Sequence, residues 1–443
     1  MTLAARQTRP AITFMDGPGT FEPASHQLAQ VIERLRSRSK TGMVLGLERM
    51  ESVLARLGNP ERSFRSVQVV GSNGKGSTSI FLATILGQRA PVGLYVSPHL
   101  VRLTERVQRV DAGGSTEIDE EALAEALSRV EEVDSELTFF EWVTAAAFVA
   151  FRDSRLELVV LEAGLGARLD ATRVADSELA IVTDLSLEHT EILGPTIEAI
   201  AWEKAAAIRA HRPVVIAGGR GESVLRSHAR SLDARVFGLG AEIRAERAAN
   251  GILFQLPDRA LDGIELGLEG DHQLRNAALA ASAAVLLDPS ISDEALRAGL
   301  ARTRWPARLE AFGPGPTVLL DGAHNPHGAE ILAREIPRFA RSRPVTLLFG
   351  ALADKRVDQM FASLVPRVSR VILTRLENPR SADPKELRLL LPVETPCMTL
   401  DGAAEALEAA LMDDGEYLVV IAGSLYLAGE LLPTLRARFG SVG

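Results

Sequence analysis

Short apolar runs alternating with helical stretches constrain this chain more than any other feature. Val67–Val70, Val92–Val96, Leu156–Glu162, Leu179–Asp184 and Val214–Ala217 read as strands. Between them, Ser77–Gly87, Asp119–Val133, Glu141–Arg152 and Thr196–Ile208 read as helices. Strands this uniformly apolar are buried on both faces, and βα alternation delivers them in parallel. The pattern predicts a mostly parallel sheet covered by helices on both sides. Residues 234–268 look like shorter β segments with turns, and Asn276–Leu287 is an Ala-rich helix. Pro and Gly gather around Trp305–Pro316, which reads as a linker. A second βα series follows, with Thr317–Leu320, Val345–Phe349, Val371–Thr374 and Tyr417–Ile421 as strands. The expected fold class is α/β: a mostly parallel sheet domain carrying a phosphate loop, then a smaller doubly wound α/β domain. The expected divisions are an aperiodic extension over 1–25, a central domain over 26–301 and a C-terminal domain over 302–443.

Composition narrows the function. Apolar residues at 46% and charged residues at 24% are ordinary globular usage, which excludes a disordered chain. No uncharged apolar run reaches the roughly 18 residues of a membrane span. Residues 1–23 lack the apolar core of a secretion signal. Lys and Arg total 49 against 58 Asp and Glu, so the net charge is −9. A nucleic-acid partner needs a basic footprint, and none is expected here. Cys397 is the only cysteine, which excludes internal disulfides and fits a cytoplasmic protein. Only five lysines, Lys40, Lys75, Lys204, Lys355 and Lys385, stand among 44 arginines. A lysine amine can be neutralised or modified where a guanidinium cannot, so each one draws attention.

Lys75 falls in Gly71-Ser-Asn-Gly-Lys-Gly-Ser77, between the strand ending at Val70 and a helix. A strand feeding a Gly-rich turn into a helix N-terminus makes a phosphate cradle from backbone N–H groups and the helix dipole. Gly71, Asn73, Gly74 and Gly76 supply that turn, Lys75 a charge for the phosphates, and Ser77 or Thr78 a hydroxyl beside a metal. The usual phosphate-loop pattern is not matched in full: Val69 stands where its first Gly would be, and Gly76 separates Lys75 from Ser77. An ordinary Gly-rich βα turn is the plain alternative.

Glu162 ends the apolar strand Leu156–Glu162, where ligands of parallel sheets bind. It is a candidate Mg²⁺ ligand, the alternative being a solvated strand-end acid. Asp184, Glu188 and His189 follow the next strand at the same edge. Lys204 lies on a helix that can pack beside them, the plain alternative being a surface pair with Glu203.

Taken in order, these segments resemble the Mur-type ATP-dependent amide ligases, and within them the folylpolyglutamate synthase/dihydrofolate synthase family. The likeness rests on Leu45-Gly-Leu-Glu-Arg49, the loop 71–77, Tyr95-Val-Ser-Pro-His-Leu-Val-Arg-Leu-Thr-Glu-Arg106, Phe140-Glu141, Leu161-Glu-Ala-Gly-Leu-Gly-Ala-Arg-Leu-Asp-Ala-Thr172, Ser186-Leu-Glu-His189, Glu203-Lys204, Gly270-Asp-His-Gln-Leu-Arg-Asn-Ala277, Trp305-Pro-Ala-Arg308, Asp321-Gly-Ala-His-Asn-Pro326 and Gly423-Ser-Leu-Tyr426. The resemblance implies a monomeric ligase that uses ATP and Mg²⁺ to join L-glutamate to a folate or dihydropteroate. By it, Lys75, Lys204 and His189 are catalytic. Ser77, Ser97, Glu162, His189 and Lys204 would hold the metal, with Lys204 carried as a carbamate. Asn276, Arg308, Asp321 and His324 would contact the nucleotide, and His99, Arg102, Phe140, Glu141 and Ser424 the other substrates. The chain departs from the family pattern at Ala167, Ala206 and Ala307, where glycines are expected, and at Arg173, where asparagine is common. Two other readings remain open: a relative acting on a different acid, and a nucleotide-binding module without ligase chemistry.

Overall fold

The computed structural model describes residues 25–38, 46–133, 136–249, 251–315, 317–412 and 417–440. Apart from Ser25, the expected extension 1–25 lies outside the described residues, as do Lys40 and Leu45.

The first sheet has eight strands: β1 (Arg65–Val70), β2 (Val92–Tyr95), β3 (Val107–Asp111), β4 (Gly114–Glu117), β5 (Leu158–Glu162), β6 (Leu179–Val182), β7 (Val214–Ile216) and β8 (Val236–Gly238). Their order is β4-β3-β2-β5-β1-β6-β7-β8. From β2 to β8 every neighbour is parallel, and Val67 of β1 stands level with Val160 of β5 and Leu179 of β6. The antiparallel hairpin β3–β4 closes one edge, and the sequence reading did not include it. Its burial is mixed and its turn is Ala112-Gly113, so it lacks the apolar run that marks the inner strands.

Alternation along the strands sends residues to two faces. Val67, Val69 and Val160 pack under the helices Lys75–Gly87 and Asp271–Leu287. Val159 and Leu161 face the helices Glu120–Val133 and Phe139–Asp153. The helix Lys75–Gly87 is buried from Ser77 to Gly87, which explains why its sequence is apolar all round. A small antiparallel sheet of β9 (Arg244–Ala248), β10 (Gly251–Gln255) and β11 (Ala260–Ile264) follows, in the stretch read as short β segments.

The last sheet holds β12 (Glu310–Phe312), β13 (Val318–Leu320), β14 (Val345–Phe349), β15 (Arg370–Thr374), β16 (Cys397–Leu400) and β17 (Leu418–Ala422), ordered β12-β13-β17-β14-β15-β16. Only β12 runs antiparallel. The stretch Trp305–Pro316 is therefore not all linker, because Glu310–Phe312 pairs with β13 across a glycine-containing turn.

Candidate active site

The carboxyl ends of β1, β5 and β6 open on one cavity of about 950 Å³, walled on its far side by the six-stranded sheet. At its floor, the backbone N–H groups of Ser72 and Asn73 donate to the carbonyl of Asp184, at 2.9 and 3.2 Å. That bond pins the turn after β1. Gly71 (φ 148°) has no room for a side chain, since a Cβ would lie 1.8 Å from Thr183 Oγ1. Gly74 (φ 85°) meets Asn276 Oδ1 in the same way, at 2.4 Å. These two glycines let the turn adopt positive φ while neighbouring side chains close over it. Lys75 Nζ donates to the carbonyls of Gly71 and Ser72, at 3.0 and 3.3 Å. Its ammonium thus lies over the loop at a helix N-terminus, where an anion is favoured twice. Ser77 lines the cavity, whereas Thr78 does not. Thr78 is fully buried.

Glu162 lies beside that loop. Its Oε2 accepts the N–H of Ser97 at 3.2 Å, and no ion pair holds it among the described residues. Burial pushes its carboxyl up to about 7, against the opposing pull of Lys75. Lys204, 1% exposed, donates to the carbonyl of Gly71 at 2.7 Å and to Glu188 Oε1 at 3.0 Å. The surface-pair alternative with Glu203 is wrong: Glu203 takes Arg168 instead, at 2.9 Å. Burial lowers the Lys204 amine below the ordinary range, and Glu188 partly restores it. Burial would raise Glu188, but the charges of Lys204, Lys75 and His189 hold it at about 2. His189, in the left-handed region at φ 45°, precedes the turn Thr190–Leu193, and burial lowers its imidazole.

From the other sheet come Asp321 and His324. Asp321 accepts N–H bonds from Leu309 and Ala323, both at 2.9 Å. Burial drives His324 down to about 4, so it is neutral at pH 7. Its Nδ1 lies 2.8 Å from the carbonyl of Gly322. A carbonyl only accepts, so the proton sits on Nδ1 and Nε2 is left as an acceptor. Arg308 is flanked by two residues of positive φ, Ala307 at 53° and Leu309 at 49°. Such conformations are costly and mark a side chain that is held in place. The two sheets touch at the loop itself: Asn325 Nδ2 donates to Asn73 Oδ1 at 3.0 Å.

On the substrate side, Ser97, His99, Arg102, Phe140, Glu141 and Ser424 all line the cavity, as do Asn276 and Arg308. His99 Nδ1 accepts from Arg106 Nε at 2.9 Å. Glu141 is fully engaged. One oxygen takes Thr138 N at 2.8 Å and Thr138 Oγ1 at 2.9 Å, and the other takes Arg49 at 2.8 Å. It therefore holds the turn before Phe140 rather than offering a free carboxylate. The sequence reading left out Asn325 and Lys355, which also line the cavity. Lys355 had been marked by lysine scarcity alone.

Two departures from the family pattern touch each other: Arg173 Nε donates to the carbonyl of Ala206 at 3.1 Å, at the end of the helix Ile197–Ala205. Ala206 has φ −62°, where alanine costs nothing. Ala307 is the one that sits at positive φ.

No cage of three or more His, Cys, Asp or Glu converges among the described residues. Mg²⁺ keeps several waters and takes one or two protein oxygens beside phosphate. The buried Glu162 carboxylate and the Ser77 hydroxyl, which line the cavity with the phosphate loop, are such a donor set.

Known proteins match this architecture throughout. Residues 69–285 fit the model of the Mur ligase middle domain, and residues 307–425 that of the Mur ligase glutamate ligase domain. The chain is 34% identical to the dihydrofolate synthase/folylpolyglutamate synthase of Bacillus subtilis, over 91% of this chain and 97% of that one. It superposes on Escherichia coli FolC in complex with DHPP and ADP with a TM-score of 0.87 at 32% identity, covering 94% of this chain and all of that one. A bifunctional folylpolyglutamate synthase/dihydrofolate synthase with Mn, AMPPNP and L-glutamate bound gives 0.84 at 31%, over 95% of this chain and all of that one.

Proposed function

Because the chain belongs to the folylpolyglutamate synthase/dihydrofolate synthase family of the Mur ligases, we propose that it joins L-glutamate to the carboxylate of a folate or dihydropteroate at the expense of ATP. The observation that carries this reading is the shared cavity. A phosphate loop, a buried acid with a buried lysine, and the Asp321, His324 and Ser424 side chains of the second sheet line one space.

In this reading the loop Gly71–Ser77 binds the ATP phosphates through its N–H groups, with Lys75 turned from the loop carbonyls onto them. Asn276 and Arg308 hold the nucleotide from one side, and Asp321 and His324 from the other. The substrate carboxylate attacks the γ-phosphorus, giving an acyl phosphate and ADP. The amine of glutamate then attacks the acyl carbon and expels phosphate. Phosphorylation supplies the leaving group that a carboxylate lacks. Cations near the transferred group, Lys75 first, offset its developing charge. Mg²⁺, held by Ser77, Ser97, Glu162 and His189, would supply further charge neutralisation when bound. Lys204 completes that set as a carbamate: its neutral amine adds to CO₂, forming an N–C bond and releasing one proton. Burial that lowers the amine favours this step. His99, Arg102 and Phe140 line the pterin side, and Glu141 fixes the turn before Phe140.

From the family resemblance we take a monomer as the working unit. Among the described residues, no helix is long and apolar enough to cross a membrane. We propose a cytoplasmic location because a single cysteine fits a reducing compartment. We keep the division near residue 302, where the helix Asp293–Arg302 ends.

Mass analysis of products tests the reading, after incubation with ATP, Mg²⁺, glutamate and either dihydropteroate or tetrahydrofolate. A glutamylated pterin, with ADP release that requires both glutamate and the pterin acid, is expected. ADP release indifferent to both would identify a nucleotide-binding module. Dependence on another acid alone would assign a relative with different substrate choice.

A further inference from the structure

Gly429 lies buried in the helix Leu425–Phe439, beside the six-stranded sheet. A Cβ there would fall 2.0 Å from the carbonyl oxygen of Leu100 and 2.9 Å from its carbonyl carbon. The position is helical, so backbone conformation does not call for glycine; space alone does. The obstacle is backbone, which cannot swing aside as a side chain can. Leu100 follows β2 in the first sheet, yet it is 8% exposed and belongs to the core of the other sheet, with Leu427, Ala428 and Leu431.

Leu100 is rigidly tied to the site. The Glu105 carboxylate accepts the N–H groups of Leu100, Val101 and Arg102, at 2.7, 3.0 and 2.9 Å. That fixes the peptide which Gly429 meets. Three residues earlier, Ser97 N–H donates to Glu162 at 3.2 Å, and between them His99 lines the cavity. A shift at Leu100 therefore reaches Ser97, His99 and Glu162 along a short stretch of chain.

We propose that Gly429 is a positioning residue: lacking a side chain, it lets the C-terminal helix seat Leu100, and through Leu100 it holds Ser97 and His99 in register with Glu162. Its effect on turnover rests on the ligase reading, whereas the seat can be measured without turnover.

Two variants test this, Gly429→Ala and Leu100→Ala. Alanine favours a helix over glycine, so Gly429→Ala does not act by weakening its own helix. Three readouts are compared with the unmodified chain: deuterium exchange of peptides covering 97–106, AMPPNP affinity, and KM and kcat for the pterin acid. Exchange in that segment is expected to rise in both variants. AMPPNP affinity measured without divalent metal should stay near that of the unmodified chain, because the phosphate loop itself is not displaced. The kcat/KM for the pterin acid should fall by about ten- to a hundredfold, as for a misplacement near 1 Å at a reacting centre. Leu100→Met, which refills the seat, should restore both exchange and kcat/KM. Unchanged exchange and kcat/KM in Gly429→Ala would overturn the proposal. Should that variant fail to fold, unchanged exchange and kcat/KM in Leu100→Ala would overturn the seating of Leu100 on which the proposal depends. A chain without ligase turnover would sink the ligase reading alone. Faster exchange in the variants would then still support the seat, and unchanged exchange would overturn it.

Discussion

Lys204 and Glu162 carry opposite burdens of burial. Lys204 gives its proton up more readily than an ordinary lysine, and CO₂ needs the neutral amine. Lys204→Arg keeps a cation beside Glu188 but cannot form a carbamate. Turnover should vanish while the fold survives. A carbonyl signal from ¹³C-bicarbonate, seen in the unmodified chain and missing in the variant, checks the carbamate directly, and near-normal activity of the variant would remove it. Glu162 is an acid raised to about 7, so the folded state binds its proton more tightly than the unfolded chain does. Without metal, its contribution is fully present below about 4.5 and is lost as pH rises towards 7, a cost on the order of 3 kcal/mol. Glu188, held at about 2, behaves oppositely: its stabilisation is present above 4.5 and fades as pH falls towards 2. Glu162→Gln should therefore raise the melting temperature of the metal-free protein at pH 7 more than at pH 5, and abolish activity. Equal melting shifts at both values would contradict the burial argument.

Elements explain what was readable in the sequence and what was not. The inner strands were legible because two-sided burial forces continuous apolar runs, as in Val159–Leu161. Glu162, Lys75 and His189 were legible because each follows such a run, at the edge where parallel sheets place ligands. The hairpin β3–β4 and edge strand β12 were missed because one-sided burial leaves no such run, and Glu310–Phe312 lies among turn residues. The partner of Lys204 was missed for another reason. Glu203 is adjacent in sequence but takes Arg168, while Glu188 arrives from a separate loop. The departure at Arg173 also belongs to this scale, since its guanidinium donates to the carbonyl of Ala206, the C-cap of the lysine-bearing helix. A cation there is worth about 0.3–1 kcal/mol. Arg173→Asn should cost that much stability, read by denaturant unfolding, and leave KM for the pterin acid within about twofold. A large change in KM would place Arg173 in substrate recognition.

For the whole molecule, chemistry depends on two sheets meeting across one cavity. The hydrogen bond from Asn325 to Asn73 joins the second sheet's half to the phosphate loop. Asn325 also caps the helix Pro326–Ala340 by accepting from Gly328 N–H at 2.8 Å. Asn325→Ser keeps a capping oxygen but is too short to reach Asn73. Thermal stability should stay close to the unmodified value, while kcat falls and small-angle scattering with AMPPNP shows a larger radius of gyration. An unchanged kcat would mean that this bond does not hold the halves together during turnover. Asn325 was not legible in the sequence because a helix-capping asparagine looks the same whether or not its other amide atom crosses to a distant loop.

The most direct measurement follows oxygen. With ¹⁸O in the reacting carboxylate of the pterin acid, ATP-driven activation in this cavity must move one labelled oxygen into each phosphate released, read by mass spectrometry. One ¹⁸O per phosphate, appearing only with glutamate amide formation, is the expected result. Unlabelled phosphate would show water attacking ATP, and would contradict a ligase working through an acyl phosphate.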